Sequence, residues 1–232
     1  MSRLILALDT ATRTPVLALA TMDGKVLADR RWASRHRHGE QLLEELDGLL
    51  AEVGGKPRDI GGVAVGTGPG SFTGLRIGLA TAKVLAHSLD VPLAGLSTTH
   101  ALALAADERG DVVVTLPAGV ADRYVHRFTV ADGTADELRP AALIATSQAF
   151  ADTVVGATVV AVDLNTDDVD EEARSRGRRA VDGLAAALAR EGGAAIAAGA
   201  TVDIATLVPA YVALPRGIAA AAAEMQWSPD LR

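Results

Sequence analysis

The sequence predicts an α/β protein in two halves, each running strands first and helices after. Short apolar runs at 4–8, 16–20 and 62–66 have the length of buried strands, and the segments between them carry apolar residues at helical spacing. A polar break at 107–111 separates this set from a second one, which opens again on strand-like runs at 112–116 and 123–130. The expected division is a first lobe over residues 1–106, a smaller second lobe over 107–215 and a C-terminal tail over 216–232. At 232 residues the chain is long enough for two lobes of about 100 residues each.

Residues 4–8 are continuously apolar, as a strand buried on both faces requires. Asp9-Thr10-Ala11-Thr12 breaks the run, 16–20 resumes it, and Asp23-Gly24 is a hairpin signal leading into 26–32. Three strands joined by short turns, the first turn acidic, open many actin-like ATPase domains, where that turn wraps a phosphate. The local alternative for Asp9 is a turn-capping aspartate. From His38 a helical period takes over, with Leu42, Leu46, Leu49, Leu50 and Val53 on one face and Glu40, Glu44, Asp47 and Glu52 around the rest. Gly54-Gly55 and Pro57 end it. His36, His38 and Glu40 do not share a helical face, so no metal site is expected there.

Residues 91–96 form a short strand, after which Ser97 or Thr98 caps a helix to about residue 106. In the second half, Asp132-Gly133 is a turn, 143–150 a short helix and 158–162 a strand. The densely charged stretch 165–179 reads as a solvated loop or a helix start. A helix over 181–190 ends at Gly192-Gly193, and 209–217 is extended. The last fifteen residues combine an alanine run with Trp227 and Pro229, and read as a frayed tail or a strap ordered by a partner.

The stretch from Gly66 to Gly78 reads strand, glycine turn, helix. Ser71 is the expected N-cap of a helix starting at Phe72. Inside that helix Gly74, Gly78, Ala82 and Ala86 recur every four residues and make a ridge of small side chains. Each interior glycine costs about 1 kcal/mol relative to alanine, so something approaches the helix backbone closely. That something is either the protein's own sheet or a partner's helix. No standard phosphate loop is spelled: Gly74 is followed by Leu75-Arg76 rather than Lys-Ser/Thr, and Ser71 stands where a dinucleotide motif needs glycine. Pro69 and Thr73 likewise stand where a nucleophile elbow around Ser71 needs glycines.

Composition sets outer limits. The net charge of −7 argues against a sequence-independent grip on nucleic acid by this chain alone. The absence of cysteine excludes disulfides, thiolate catalysis and cysteine zinc sites. No signal peptide is visible, and no apolar run approaches the roughly 18–20 residues of a membrane span, so the expected location is the cytoplasm.

Leu8-Asp-Thr-Ala11, the helix near His38-Gly-Glu40, the segment Gly68-Pro-Gly-Ser-Phe-Thr-Gly-Leu-Arg-Ile-Gly78 and Pro92-Leu-Ala-Gly-Leu-Ser-Thr98 occur together in this order and spacing. Together they closely resemble the TsaB (YeaZ) family over roughly residues 3–106, and more loosely beyond. The resemblance implies an actin-like ATPase (ASKHA, RNase H-like) fold of two lobes, each a mixed sheet flanked by helices. It implies a non-catalytic subunit without cofactor or metal, acting in N6-threonylcarbamoylation of adenosine 37 in tRNAs that read codons starting with A. Its implied partner is the related transferase TsaD, joined by an ATPase, TsaE, and tRNA is met only through the complex. Apart from the resemblance, exposed apolar helix surface points to a homodimer when the chain is alone. The family's pairing helices correspond here to 38–53 and 72–90. The interface residues expected on them are His38, Gln41 and Glu45, with Gly74, Leu75, Arg76, Gly78, Leu79 and Lys83. A large residue at Gly78 is expected to weaken docking more than folding.

The departures from related patterns are specific. The His-x-x-x-His metal segment of TsaD falls on Thr98 and Leu102 here, leaving His100 alone. The family's Asp-Ala-Arg at the start of the second lobe is Pro117-Ala118-Gly119, followed by Asp122 and Tyr124. Two other readings compete with the scaffold. A small-molecule kinase or ATPase of the actin-like superfamily would use Asp9 but needs a second phosphate loop after residue 111, and none is spelled. A metallopeptidase needs paired ligands and an acid at helical spacing, which are missing.

Overall fold

The computed structural model describes residues 3–33, 38–119, 122–145, 147–164, 167 and 169–212, with the side chains of His38, Gly39, Glu40 and Ser147 outside that description. In the first sheet β1 (Leu4–Asp9), β2 (Val16–Thr21) and β3 (Val26–Arg31) form an antiparallel meander; β4 (Ile60–Gly66) and β5 (Leu93–Leu96) follow parallel to β1, in the order β3-β2-β1-β4-β5. The second sheet repeats the plan. Its strands β6 (Gly110–Pro117), β7 (Arg123–Ala131) and β8 (Thr134–Ile144) are antiparallel and β9 (Thr158–Ala161) is parallel to β6, in the order β8-β7-β6-β9. This duplicated strand plan is the two-lobed, actin-like α/β architecture.

β1 is buried throughout because both faces of the sheet are covered. Leu6, Leu8, Leu17 and Leu19 point to α1 (His38–Glu52) and α2 (Phe72–Leu89), while Ile5, Ala7, Val16 and Ala18 point the other way, into a core shared with α3 (Thr98–Ala105) and α5 (Glu171–Ala197). That second core also receives Val112, Val114 and Phe128 from the other sheet. A third, smaller cluster holds Val113, Val125 and Leu164 against Phe150 of α4 (Ser147–Thr153). α5 packs on strands of both sheets and Val202 N–H donates to Leu93 O, so the segment after α5 returns to the first sheet.

Three sequence-based expectations need correction. The short helix expected at 143–150 is instead the end of β8 followed by α4. β8 is a solvent-facing edge strand, with Leu138 and Leu143 exposed, so burial imposes no alternation on it. The helix expected over 181–190 is the middle of the 27-residue α5. The charged stretch is its first turns, capped by Asp170, whose carboxylate accepts Ala173 N–H at 2.7 Å, and laced by Glu171–Arg174 and Glu172–Arg176 pairs. Gly192 and Gly193 continue the helix rather than ending it, because Ala64 and Met22 O lie where their Cβ atoms would stand. Residues 209–212 carry no regular element, and the 216–232 tail lies outside the described residues.

Candidate functional site

β1 delivers Asp9 to the point where the first turn, the glycine turn and α3 meet. Its Oδ1 accepts Ala11 N–H at 2.6 Å and its Oδ2 accepts the Thr98 hydroxyl at 2.6 Å. Thr98 in turn accepts Gly68 N–H at 3.0 Å. Asp9 is 1% exposed, and a Cβ on Gly66 would overlap its carboxylate, so the glycine there is what makes room for it. Burial pushes the Asp9 carboxyl up to about 6 against the pull of those two donors. Of the two readings of Asp9, the structure places it as the turn-capping residue.

The rest of the first turn is also occupied from within. Arg13 N–H donates to Asp163 Oδ2 at 2.7 Å, and Asp163 sits just past β9 with φ at +58°. Burial raises the Asp163 carboxyl above the usual carboxylate range. Around this bond lies a cleft of about 360 Å³ lined by Arg13, Thr14, Asp163, Arg174, Arg178 and Asp182. Within the chain Arg174 and Arg178 pair with Glu171, and Asp182 with Arg31. Sequence reading missed Asp163; the available signal was an acid placed at the carboxyl end of a parallel strand, where open α/β sheets hold their ligands.

Just after β6, at Pro117-Ala118-Gly119, Ala118 N–H donates to Asp122 O at 2.8 Å. The Arg123 guanidinium is buried over the Phe150 ring at 4.4 Å. Of the two positions matching the transferase's metal segment, Thr98 is spent on Asp9 and Leu102 is fully buried in the core. His100 is half-buried with its ring near Phe128, 5.9 Å between centroids. No three His, Asp or Glu side chains among the described residues come together as a metal set.

The glycine-rich helix begins as the sequence predicts: Ser71 Oγ accepts Gly74 N–H at 3.2 Å. Its small-residue ridge, however, faces the chain's own first turn. Thr10 Oγ1 donates to Gly74 O at 2.7 Å, and a Cβ on Gly74 or Gly78 would overlap Thr10. Gly74, Leu75, Gly78 and Leu79 are buried in the chain, so as surface contacts these four expectations are corrected: the close approach is internal. The opposite face of α2 is open, with Thr73, Arg76, Ala80, Val84 and His87 exposed and Lys83 half-buried. Val84 is 63% exposed, and Leu43 on the neighbouring α1 is 49% exposed. Gln41 and Glu45 are half-buried on α1, and the His38 side chain lies outside the described residues. α1 contains no Lys or Arg, and α2 no Asp or Glu, so the paired helices present an acidic surface beside a basic one. Arg76 lies over Phe72 at 4.6 Å, and Phe72 packs on Tyr211 with centroids 5.4 Å apart.

Residues 26–212 match the family model described as "TsaD: tRNA N6-adenosine threonylcarbamoyltransferase". The chain belongs to this family, on its TsaB (YeaZ) branch. It is 37% identical over 99 residues to the tRNA threonylcarbamoyladenosine biosynthesis protein TsaB of Bacillus subtilis, covering 43% of each chain. It is 40% identical over 99 residues to the protein of the same name from Escherichia coli, covering 43% of this chain and 42% of that one. These matches thus span less than half the length of the curated relatives. The solved structure of YeaZ from Pseudomonas aeruginosa shares the fold, with a TM-score of 0.69 and 23% identity, over 91% of this TsaB-family chain and 100% of that one. No helix among the described residues of this TsaB-family chain is long and apolar enough to cross a membrane.

Proposed function

We propose that this chain is the non-catalytic scaffold subunit that binds a TsaD-like threonylcarbamoyltransferase and supports N6-threonylcarbamoylation of adenosine 37 in tRNAs reading ANN codons. The observation that carries this reading is the first turn. The donors that would hold a phosphate in an ATPase of this architecture are held by the chain's own Asp9 and Asp163. The surface left for function is the outer face of α1 and α2. There Leu43 and Val84 supply apolar contact, and Arg76, Lys83 and Glu45 supply charge of both signs for orientation. A TsaE-like ATPase joins this pair, tRNA is reached only through the complex, and the complex works in the cytoplasm. The same two-helix face, acidic beside basic, is self-complementary and pairs two copies when the transferase is absent.

Mixing the purified chain with the transferase from the same source, and measuring mass by light scattering, tests the reading. A one-to-one complex is expected. Val84→Arg, on the exposed face, is expected to leave folding intact and weaken the complex about tenfold or more, since it buries an unpaired charge. No complex, together with ATP turnover by the chain alone, would instead support the kinase reading.

A further inference from the structure

Thr98 and Thr99 are neighbours in the first turn of α3 and reach in different directions. Thr98 bonds to Asp9 and Gly68 of the first sheet and its glycine turn. Thr99 Oγ1 lies 2.7 Å from His126 Nδ1, on β7 of the second sheet. His126 Nε2 lies 2.7 Å from Glu137 Oε2 on β8, and Thr99 Oγ1 lies 3.0 Å from Ser97 Oγ, the N-cap of α3. The side chains thus form one chain, Ser97–Thr99–His126–Glu137, crossing from α3 to the outer edge of the second sheet.

Donor and acceptor chemistry fixes its direction at neutral pH. A carboxylate only accepts, so Nε2 carries the imidazole proton and donates to Glu137. Nδ1 is then the acceptor for the Thr99 hydroxyl, and Thr99 accepts from Ser97. Ser97 Oγ still accepts His100 N–H at 3.3 Å, so each group is satisfied. A proton added to His126 makes Nδ1 a donor, and the Thr99 hydroxyl must turn its own proton away from the ring.

We propose that this relay is an acid-released clasp between the two sheets: neutral His126 holds α3 to the second sheet, and its protonation loosens that hold. The groups that face His126 are Glu137 from β8, His100 and Thr99 from α3 and the Phe128 ring at 4.2 Å, and apolar Val114 is its register partner on β6. Only Glu137 favours the cation; His100 and burial of the ring, which is 5% exposed, oppose it, and burial is the larger cause, so the His126 imidazole is held below its usual 6.5. For a group whose folded value is depressed in this way, the neutral clasp is fully present above about pH 6.5. It is lost as the pH falls through the folded value.

Hydrogen exchange of the full chain, read by NMR and corrected for intrinsic rates, tests this. Between pH 7.5 and 5.5 the amides of α3 are expected to lose protection about tenfold more than those of β1 and β4. His126→Gln, which keeps a donor and an acceptor but does not titrate, is expected to remove that excess. Ring ¹⁵N shifts of the wild-type chain provide a readout that needs no variant. The Nε2–H tautomer is expected at pH 7.5, with the Thr99 and His100 amide signals moving at the imidazole's own midpoint. An Nδ1–H tautomer, or an α3 profile unchanged in His126→Gln, overturns the proposal.

Discussion

Replacing Gly78 with tryptophan is expected to unfold the protein rather than to spare the fold and block docking. Gly78 faces Thr10 in the chain's own first turn, and even a methyl group there would overlap the Thr10 side chain. Gly74 is tighter still, because the atom in the way is the Thr10 carbonyl oxygen, part of a backbone held by the Thr10 hydroxyl bond to Gly74 O and by Ser71 N–H donating to Ala11 O at 2.7 Å. Gly74→Ala would gain about 1 kcal/mol of helix propensity. Forcing the turn away from the helix costs about 1–3 kcal/mol or more, so a net loss is expected, growing with Gly74→Val. Gly78→Trp adds a whole indole where the interior is close-packed, a cost that approaches the roughly 5–15 kcal/mol stability of an ordinary domain. Urea unfolding of the three variants, with Ala80→Leu on the exposed face as control, orders them: Ala80→Leu near wild type, then Gly74→Ala, Gly74→Val and Gly78→Trp. A Gly78→Trp chain that melts like wild type and fails only in binding would restore the partner-docking account of the ridge.

This ridge shows how far the sequence reaches. Four small residues at helical spacing state that something comes close to that face of α2, but they carry no information about which surface does. The surface turned out to be Thr10, more than sixty positions away, and periodicity within one segment has no access to that pairing. The Ser71 cap, the two faces of β1 and the polar break before β6 were legible because each is set by neighbours in sequence. β8 was not, because an edge strand exposed on both faces owes its place to hydrogen bonds with β7 and not to apolar alternation. The full length of α5 was hidden for a related reason. Glycines 192 and 193 look like a stop, and only the approach of Ala64 and Met22 explains why a helix keeps them. The site followed the same rule. Asp9 was visible from its turn, whereas Asp163, 150 residues after the amide it binds, was not.

Asp9 gives the second large effect, and it is one of pH. Its carboxyl stands at about 6 in the folded chain against an ordinary 3.8, with burial as the main cause. A folded value raised above the unfolded one means that the folded state binds the extra proton. The stability contribution is therefore fully present below about pH 4 and lost as the pH rises through about 6. The gap corresponds to about 3 kcal/mol, felt above pH 7. Asn mimics the protonated acid: its amide oxygen still accepts Ala11 N–H, and its amide nitrogen donates to the Thr98 hydroxyl as the acid's O–H would. Asp9→Asn is thus expected to match wild type near pH 4 and to exceed it by up to about 3 kcal/mol at pH 8. Asp9→Ala, which leaves the buried Thr98 hydroxyl and the Ala11 amide without their Asp9 partner, is expected to lose about 2 kcal/mol or more even at pH 4. The difference between wild type and Asp9→Asn, measured by urea unfolding across pH 4–8, isolates this one group, because every other titration, His126 included, is common to both chains. A difference that stays flat would show that the carboxylate keeps its water in the folded chain. The first turn would then be open to solvent, and with it to a ligand's phosphate, which the scaffold reading requires it not to be.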